Sequence, residues 1–428
     1  MRDDAGLGSS QVNDGMSEYR VGHLLLLIGS NPLPNAVAGR LLAVQGGTVS
    51  LICSGNSFEV AGRLQRWLKG HGLSPRCPRR VEESDPASIF QVTCDELKIV
   101  DAERIGLSYT GGTKAMSVHA YRAVEHWVRA QQRQGKNIES VFSYLNPRRL
   151  EMVFDPADPA SGERGRTRPV MGAVRLCLTD MLELHGWTLK NDPNSRPVLP
   201  ASASALAKIC ASEDSFKEWR RWAHDELRAK CRKPDKDEWK GRSNLPQSLD
   251  FPTDPSLQEI VQSLKSESES PADDLPLKQP AFKNDAKHFC EWLDGKWLEH
   301  HVLNTLDCVA DNLGLHQQQQ NIITNEVEFD VDVIAIHGYQ LFAFSCSTDS
   351  GKGLLKSKLF EAFIRARQLG GDEARVALVC CSKNPETLEQ ETRRDVDPEG
   401  RIHVFGCDHL ADLAAHLKQW IQKQSKGA

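Results

Sequence analysis

Ile105-Gly106-Leu107-Ser108-Tyr109-Thr110-Gly111-Gly112-Thr113-Lys114-Ala115-Met116 decides the fold. The apolar run up to Tyr109 reads as a strand, the glycine pair as a turn, and the residues from Thr113 as a long helix that ends near Arg133. Two glycines let backbone come close to a ligand and take conformations barred to other residues. The first free amides of the helix point into the turn, where the helix dipole favours an anion. The hydroxyls of Thr110 and Thr113 and the Lys114 ammonium add donors and charge. The pattern is therefore that of a phosphate-binding turn, with an ordinary glycine-rich turn as its plain alternative. It lacks the GxxxxGK[ST] spacing of a Walker loop and is not a dinucleotide fingerprint.

Working outward, His23 to Gly29 reads as a strand buried on both faces, as in parallel sheets. Ser30-Asn31-Pro32-Leu33-Pro34-Asn35 turns at its end into a helix that carries Ala36, Val37, Leu41 and Leu42. Val49 to Cys53 is a second strand, followed by the polar turn Ser54-Gly55-Asn56-Ser57. Ser57 is the expected N-cap of a helix carrying Val60, Leu64, Trp67 and Leu68. Phe90 to Cys94 is expected to be a third strand. Val141–Leu145 and Leu150–Phe154 are expected to close a hairpin. Strands alternating with helices give an open α/β sheet, whose ligands sit beyond the carboxyl ends of the strands. Three polar turns fall there: Gly29-Ser30-Asn31, Ser54 to Ser57, and Thr110 to Lys114.

The totals agree with a soluble, multidomain protein. The chain has 428 residues, 39% hydrophobic and 26% charged, with a formal net charge of -5. That balance argues against a protein that coats nucleic acid, though not against a local basic groove. No apolar run is long enough to span a bilayer, and the polar, acidic N-terminus has no signal-peptide pattern, so a cytoplasmic location is expected. Residues 1 to about 20 read as a disordered lead. Twelve scattered cysteines without CxxC pairs suggest reduced thiols.

The Gly-Ser-Asn strand end, the Ser-Gly-Asn-Ser turn and Tyr-Thr-Gly-Gly-Thr-Lys-Ala-Met together resemble the CARF domain, the sensor of type III CRISPR defence. The resemblance covers residues 20–160 in a Rossmann-like α/β fold. It implies a cyclic oligoadenylate ligand, with cyclic tetra-adenylate the expected ring, on the two-fold axis of a homodimer. Gly29, Ser30, Asn31, Ser54, Gly55, Asn56, Ser57, Thr110, Gly111, Gly112, Thr113 and Lys114 would bind it.

Residues 172–280 read as a helical insert and linker. One helix is expected to end at His185-Gly186, and a second, near Phe216 to Arg228, carries Trp219, Trp222 and many cations. Lys217, Arg220, Arg221, Arg228, Lys230, Arg232 and Lys233 can meet a nucleic-acid backbone or form a solvated helix face. Ser266 to Asp274 is the clearest linker.

Residues 285–428 form the last domain. A helix from Phe289 to Leu306 contains Glu299, and a strand from Glu326 to Ile336 carries Glu328, Asp330 and Asp332 on one face. Then come a turn at His337 to Gln340, a strand at Leu341–Ser345, a helix at about Leu354–Leu369, and strands at Val376–Cys380 and Ile402–Phe405. One acid on a helix and one on a strand, followed by a turn and another strand, resembles the PD-(D/E)xK restriction-endonuclease core. The whole architecture resembles the Card1/Can2 nucleases. Gly295-Lys296-Trp297-Leu298-Glu299 and Asp332-Val333-Ile334-Ala335-Ile336 stand where that family has its first two acids. The resemblance implies Mg²⁺ or Mn²⁺, which needs clustered carboxylates, and a lysine that stabilises developing charge.

The family's Glu-x-Lys, however, falls at Ser345-Cys346-Ser347. Either the acid has moved to Glu361 on the next helix, with Lys358 or Lys356 as the cation, or catalysis is lost. The first reading makes Asp332, Glu361 and Glu299 the metal ligands of a nuclease that cleaves DNA or RNA and is switched on by the cyclic nucleotide. The second leaves a sensor that binds nucleic acid or a partner protein. A transcriptional regulator using the cationic helix near Trp222 is a third class.

Overall fold

Leu24, Leu25, Leu26 and Leu27 alternate across a single strand, β1 (Val21–Ile28), and all four are fully buried. Leu24 and Leu26 join one core, while Leu25 and Leu27 join another on the opposite face. A strand covered on both faces needs layers above and below, and burial of each leucine contributes roughly 1.5–3 kcal/mol. The computed structural model describes residues 15–99, 102–156, 164–234, 238–268, 273–327, 330–397 and 399–425. Most of the expected disordered lead lies outside these residues. Its last part does not: Met16 and Tyr19 are buried, and Tyr19 stacks on Phe154.

Among the described residues, eight strands form the N-terminal sheet. β1 pairs in parallel with β2 (Ala43–Cys53), with β3 (Ser74–Pro75) and β4 (Arg79–Arg80) beyond it. On its other side β1 pairs in parallel with β5 (Arg104–Ser108), and β5 with β6 (Glu139–Asn146). β7 (Glu151–Phe154) and β8 (Arg166–Pro169) continue antiparallel. Helices α1 (Leu33–Leu42) and α2 (Phe58–Gly70) cover one face. On the other lie α3 (Pro86–Lys98) and α4 (Lys114–Arg133).

The strand expected at Phe90–Cys94 is part of α3. Asp85 caps it, accepting from the backbone N–H of Ala87 and Ser88 at 2.9 and 3.2 Å, and Pro86 opens its first turn. Those are helix-start residues, and the buried Ile89, Thr93 and Leu97 recur every four. Ser57 stands at the N-cap of α2, but its hydroxyl accepts from the Ser54 N–H at 3.0 Å instead.

α5 (Leu178–His185) ends on Gly186 at φ 73° and leads to the insert. The insert contains α6 (Pro200–Ile209), α7 (Glu213–Trp222), a π-helical turn at Ala223–Arg228, a two-stranded ribbon of β9 (Ser248–Asp250) and β10 (Asp274–Pro276), and α8 (Gln258–Glu267). The expected linker thus begins inside α8 and ends at the start of β10. Residues 269–272 lie outside the described set.

In the last domain, α9 (Ala286–Glu291) passes through a second π-helical turn, Trp292–Lys296, into α10 (Trp297–Leu313). The sheet runs β11 (Leu315–Ile323), β12 (Asp330–His337), β13 (Gln340–Ser347), β14 (Arg375–Cys380) and β15 (Ile402–Phe405). The first three are antiparallel neighbours and the last three parallel. α11 (Lys352–Gly370), α12 (Pro385–Val396) and α13 (Leu413–Ser425) complete the domain. β11, with the run Gln317 to Gln320, is an addition to the sequence reading. Ile334, Ile336, Leu341, Val376 and Leu378 share one core with Leu24, Leu26 and Leu51 of the N-terminal sheet. Val333, Ala335, Phe342 and Phe344 face the opposite way, towards the insert and α10. The last domain is therefore packed on the N-terminal domain through one face and on the insert through the other.

Candidate functional site

At the carboxyl ends of β1 and β5, the backbone is packed too tightly for side chains. A Cβ on Gly111 would lie 2.2 Å from the Leu27 carbonyl oxygen, and Gly112 sits at φ 75°. Thr110 Oγ1 accepts from the Leu145 N–H at 2.7 Å, tying the turn to β6. Thr113 Oγ1 caps α4 by accepting from the Met116 N–H at 3.2 Å. The hydroxyl oxygens expected to face a phosphate thus hold the turn in shape. A pocket of about 420 Å³ opens over it. Gly29, Ser30, Asn31, Thr110, Gly111 and Gly112 line it, together with the tyrosines Tyr109 and Tyr144, whose rings lie 5.5 Å apart. Ser54 to Ser57, Thr113 and Lys114 are outside that lining. Lys114 is exposed at the start of α4, without an ion-pair partner among the described residues.

The far wall comes from the last domain. Asp372 and Glu373, just after α11, line the same pocket, and a neighbouring pocket sets Ser30 and Asn31 against Phe363, Ile364 and Arg367 of α11. A Cβ on Gly371 would lie 2.1 Å from Asn31 Nδ2. Glu373 is buried, which pushes its carboxyl up to about 7.

A second, more polar cleft of about 550 Å³ opens where the insert meets the last domain. Glu299 enters it from the first turn of α10, directly after the π-helical turn. Gly295 in that turn allows close approach to the end of β13: a Cβ there would lie 3.0 Å from Thr348 Oγ1. Asp332 arrives from β12, whose pairing with β13 begins at Val333–Phe344. The next backbone N–H of β13 in that pattern, at Cys346, donates to Asp332 Oδ2 at 2.7 Å, and the Ser345 hydroxyl adds a bond at 3.3 Å. Lys358 of α11 reaches back to within 3.4 Å of the Cys346 carbonyl oxygen.

Desolvation raises both carboxyls. Glu299 is pushed up to about 8 by burial and then by the Asp332 charge, with Lys296 and Lys358 opposing. Asp332 is raised by burial, against the Cys346 N–H and Lys358. Burial lowers Lys296, but its bond to Glu291 at 3.1 Å and the nearby Glu299 and Asp332 raise it overall.

Of the three expected metal ligands, Glu299 and Asp332 lie near enough to act on one another, and Glu361 lies apart. Glu361 is exposed, ion-paired with Arg365 on its own helix, and outside the cleft lining. Lys356 also points away, held by Asp395 at 2.8 Å. Lys358 is the one of the two lysines that lines the cleft. Asp330 raises Glu299 from nearby, and Glu328 lies outside the described residues. Among the described residues, no three of His, Cys, Asp and Glu converge as a metal-ligating group. The two desolvated carboxylates Glu299 and Asp332 still suit Mg²⁺ or Mn²⁺, which take hard oxygen ligands and keep several waters.

The sequence reading missed Lys296 and the contribution of the insert. Arg228 and Arg232 line the cleft, both bound to Asp294 at 2.6 and 2.5 Å, and Arg232 lies 4.7 Å from the Trp239 ring centre. Lys296 stands in the Gly-Lys-Trp-Leu-Glu segment, three residues before Glu299. The other cations of the stretch are partly neutralised, Arg221 by Glu218, Lys230 by Glu226 and Asp250, and Lys233 by Glu238.

Residues 286–424 match the model of the Card1-like endonuclease domain. No curated protein matches the chain. Its fold is that of protein VC1899 from Vibrio cholerae, at TM-score 0.69 and 16% identity, over 95% of this chain and 98% of that one. It is also that of Can2 from Sulfobacillus thermosulfidooxidans, solved in complex with cyclic tetra-adenylate, at TM-score 0.64 and 14% identity, over 96% and 99%. The resemblance to the Card1 and Can2 nucleases is thus carried by a family model at the C-terminal end and by the fold along almost the whole length. No helix among the described residues is long and apolar enough to cross a membrane.

Proposed function

We propose that this chain is a divalent-metal-dependent nuclease activated by a cyclic oligoadenylate, with a Card1-like endonuclease domain as its effector. One observation carries the reading: Glu299, Lys296 and Lys358 line a single polar cleft of that domain, and Asp332, bound to the Cys346 N–H just behind the lining, acts on Glu299 from β12. Glu299 and Asp332 would hold the cation, which supplies Lewis-acid stabilisation of the charge that gathers on the phosphoryl oxygens. Lys358, from the helix after β13, takes the part of the absent Glu-x-Lys lysine and faces that developing charge. Arg228 and Arg232 bind flanking phosphates of the strand.

Cyclic tetra-adenylate, the ligand of the Can2 structure, fits the sensor pocket in kind. Amides around Gly29 and Gly111–Gly112 suit ring phosphates, and Tyr109 and Tyr144 offer faces for adenine. A ring with internal two-fold symmetry calls for a homodimer with an isologous interface.

The test is incubation of the protein with plasmid, single-stranded DNA and RNA, with and without each cyclic oligoadenylate, in Mg²⁺ and in Mn²⁺. Cleavage confined to the reactions holding activator and metal supports the proposal. The Ser345-Cys346-Ser347 replacement and the two-acid cluster favour a second reading, a sensor whose effector domain only binds nucleic acid or a partner. Activator binding without cleavage under any condition selects it.

A further inference from the structure

The neighbouring pocket, of about 350 Å³, shares Ser30, Asn31 and Asp372 with the one over the glycine turn. Its far wall is the last two turns of α11, where Ile364, Arg367 and Gln368 are all exposed. Ile364 is 42% exposed, so an apolar face lies open to the pocket. Arg367 has its guanidinium 5.6 Å from the Phe363 ring centre and donates to Asp372 Oδ1 at 2.5 Å. Two contacts thus fix the guanidinium plane beside Ile364. Arg401 donates to the same Asp372 oxygen at 3.2 Å. Asp372 Oδ2 has no bond among the described residues, and its side chain is 53% exposed. Two arginines offset the charge, so a carboxylate here does not repel a polyanion. Across the pocket, the Asn31 side-chain oxygen accepts from the Leu33 N–H at 3.1 Å, which turns the amide nitrogen towards Gly371.

We propose that this neighbouring pocket is an adenine subsite, in which Asp372 of the last domain reads the exocyclic amine of one base of the activator. The inference rests on the cyclic-oligoadenylate reading and adds to it a base-reading residue from outside the N-terminal domain. Ile364 and the Arg367 guanidinium offer an open face on which a base can lie. Asp372 Oδ2, an acceptor without a donor, matches the amine of adenine. Guanine and hypoxanthine carry a carbonyl at that ring position, which would set oxygen against carboxylate, so the same atom rejects them. Two adjoining pockets per chain suit two nucleotides, half of a four-membered ring shared by two subunits about a two-fold axis. Ser30 and Asn31 belong to both pockets and meet the phosphate that joins those nucleotides. The ring then touches both domains, and the helix it touches is the one that carries Lys358 to the cleft.

The experiment is calorimetry on the full chain with cyclic tetra-adenylate and with cyclic tetra-inosinate, in which each amine is replaced by a carbonyl. The wild type should bind the adenine ring at least about tenfold more tightly, the scale of one hydrogen bond to a charged group. Asp372→Ala should cut that preference about tenfold, mainly by weakening the adenine ring. Equal affinity of the wild type for the two rings overturns the subsite. So does an Asp372→Ala variant that weakens both rings alike, which is what a merely structural role would give, or one that keeps the wild-type preference. Ile364→Ala leaves the ion pairs of Asp372 in place and keeps the test valid if Asp372→Ala loosens the domain boundary. It should weaken both rings alike by about threefold through the lost apolar face, and unchanged affinity for both overturns the pocket. Failure of the wild type to bind any cyclic oligoadenylate removes the activator reading and the subsite with it. Tight binding without the expected change in preference removes the subsite alone.

Discussion

The pocket over the glycine turn and the cleft of the last domain are built from different parts of the chain's chemistry. The first is mostly backbone: glycines pressed against a neighbouring carbonyl, and threonines whose hydroxyl oxygens hold the turn. The second is mostly side chains, with acids and lysines from elements far apart in sequence that change one another's protonation. A backbone site depends on local order and fails when its shape is lost. A side-chain site depends on tertiary packing and fails when one charge is lost.

Substitutions separate the two modes. Asp332→Asn should lower cleavage by about 100-fold or more, the loss of a charge worth several kcal/mol at a metal site. Activator affinity should be unchanged by calorimetry; a matching fall in activator binding would show that the two sites are not built independently. Gly111→Ala drives a methyl group into the Leu27 carbonyl and should weaken activator binding by about 100-fold, from about 3 kcal/mol of strain. Normal titration by that variant would remove the backbone account of the pocket.

Lys114→Ala should have a smaller effect, a loss of about 1 kcal/mol in activator affinity, because Lys114 is exposed and outside the lining. A loss several times larger would put a side chain at the centre of the N-terminal pocket after all.

The carboxylate pair also makes a pH prediction. Folding raises Glu299 from an ordinary 4.5 to about 8, so the folded chain holds a proton that the unfolded chain releases between those values. Stability of the metal-free protein should therefore fall as pH rises from 5 to 8. Glu299→Gln should flatten the fall, and Mn²⁺ should reverse it by binding the folded state. Thermal melts across this range should show a change of a few degrees; a flat wild-type profile would mean that the pair is not desolvated. The smallest effect belongs to Glu361→Ala, which should change cleavage by less than about twofold, since surface substitutions away from special features cost little. Abolished cleavage there would restore the three-acid site.

The same contrast explains what could be read without coordinates. The glycine turn, its strand and its helix are contiguous, so spacing alone located the pocket floor. The order of elements in the endonuclease domain, and the positions of Glu299 and Asp332, followed from periodicity and resemblance. Glu361 misled because sequence spacing fixes the helix but not which face meets the cleft; its ion pair with Arg365 turns it to solvent. Asp372 and Glu373 were out of reach for another reason. They meet the Gly29–Asn31 turn only because two sheets share a core, and nothing local in either segment encodes that contact. The glutamines of β11 hid a strand, since its side chains alternate little between apolar and polar.

That shared core has a consequence for how the molecule comes apart. Leu24 and Leu51 of the first sheet belong to one buried cluster with Ile334, Leu359 and Val376 of the last domain. Regions that share an apolar interior tend to open as one cooperative unit. Severing the chain near residue 280 would expose this surface on both halves and leave neither with its native hydrogen-exchange protection. The insert shares a second buried cluster with the opposite face of the last sheet, so it belongs to the same unit.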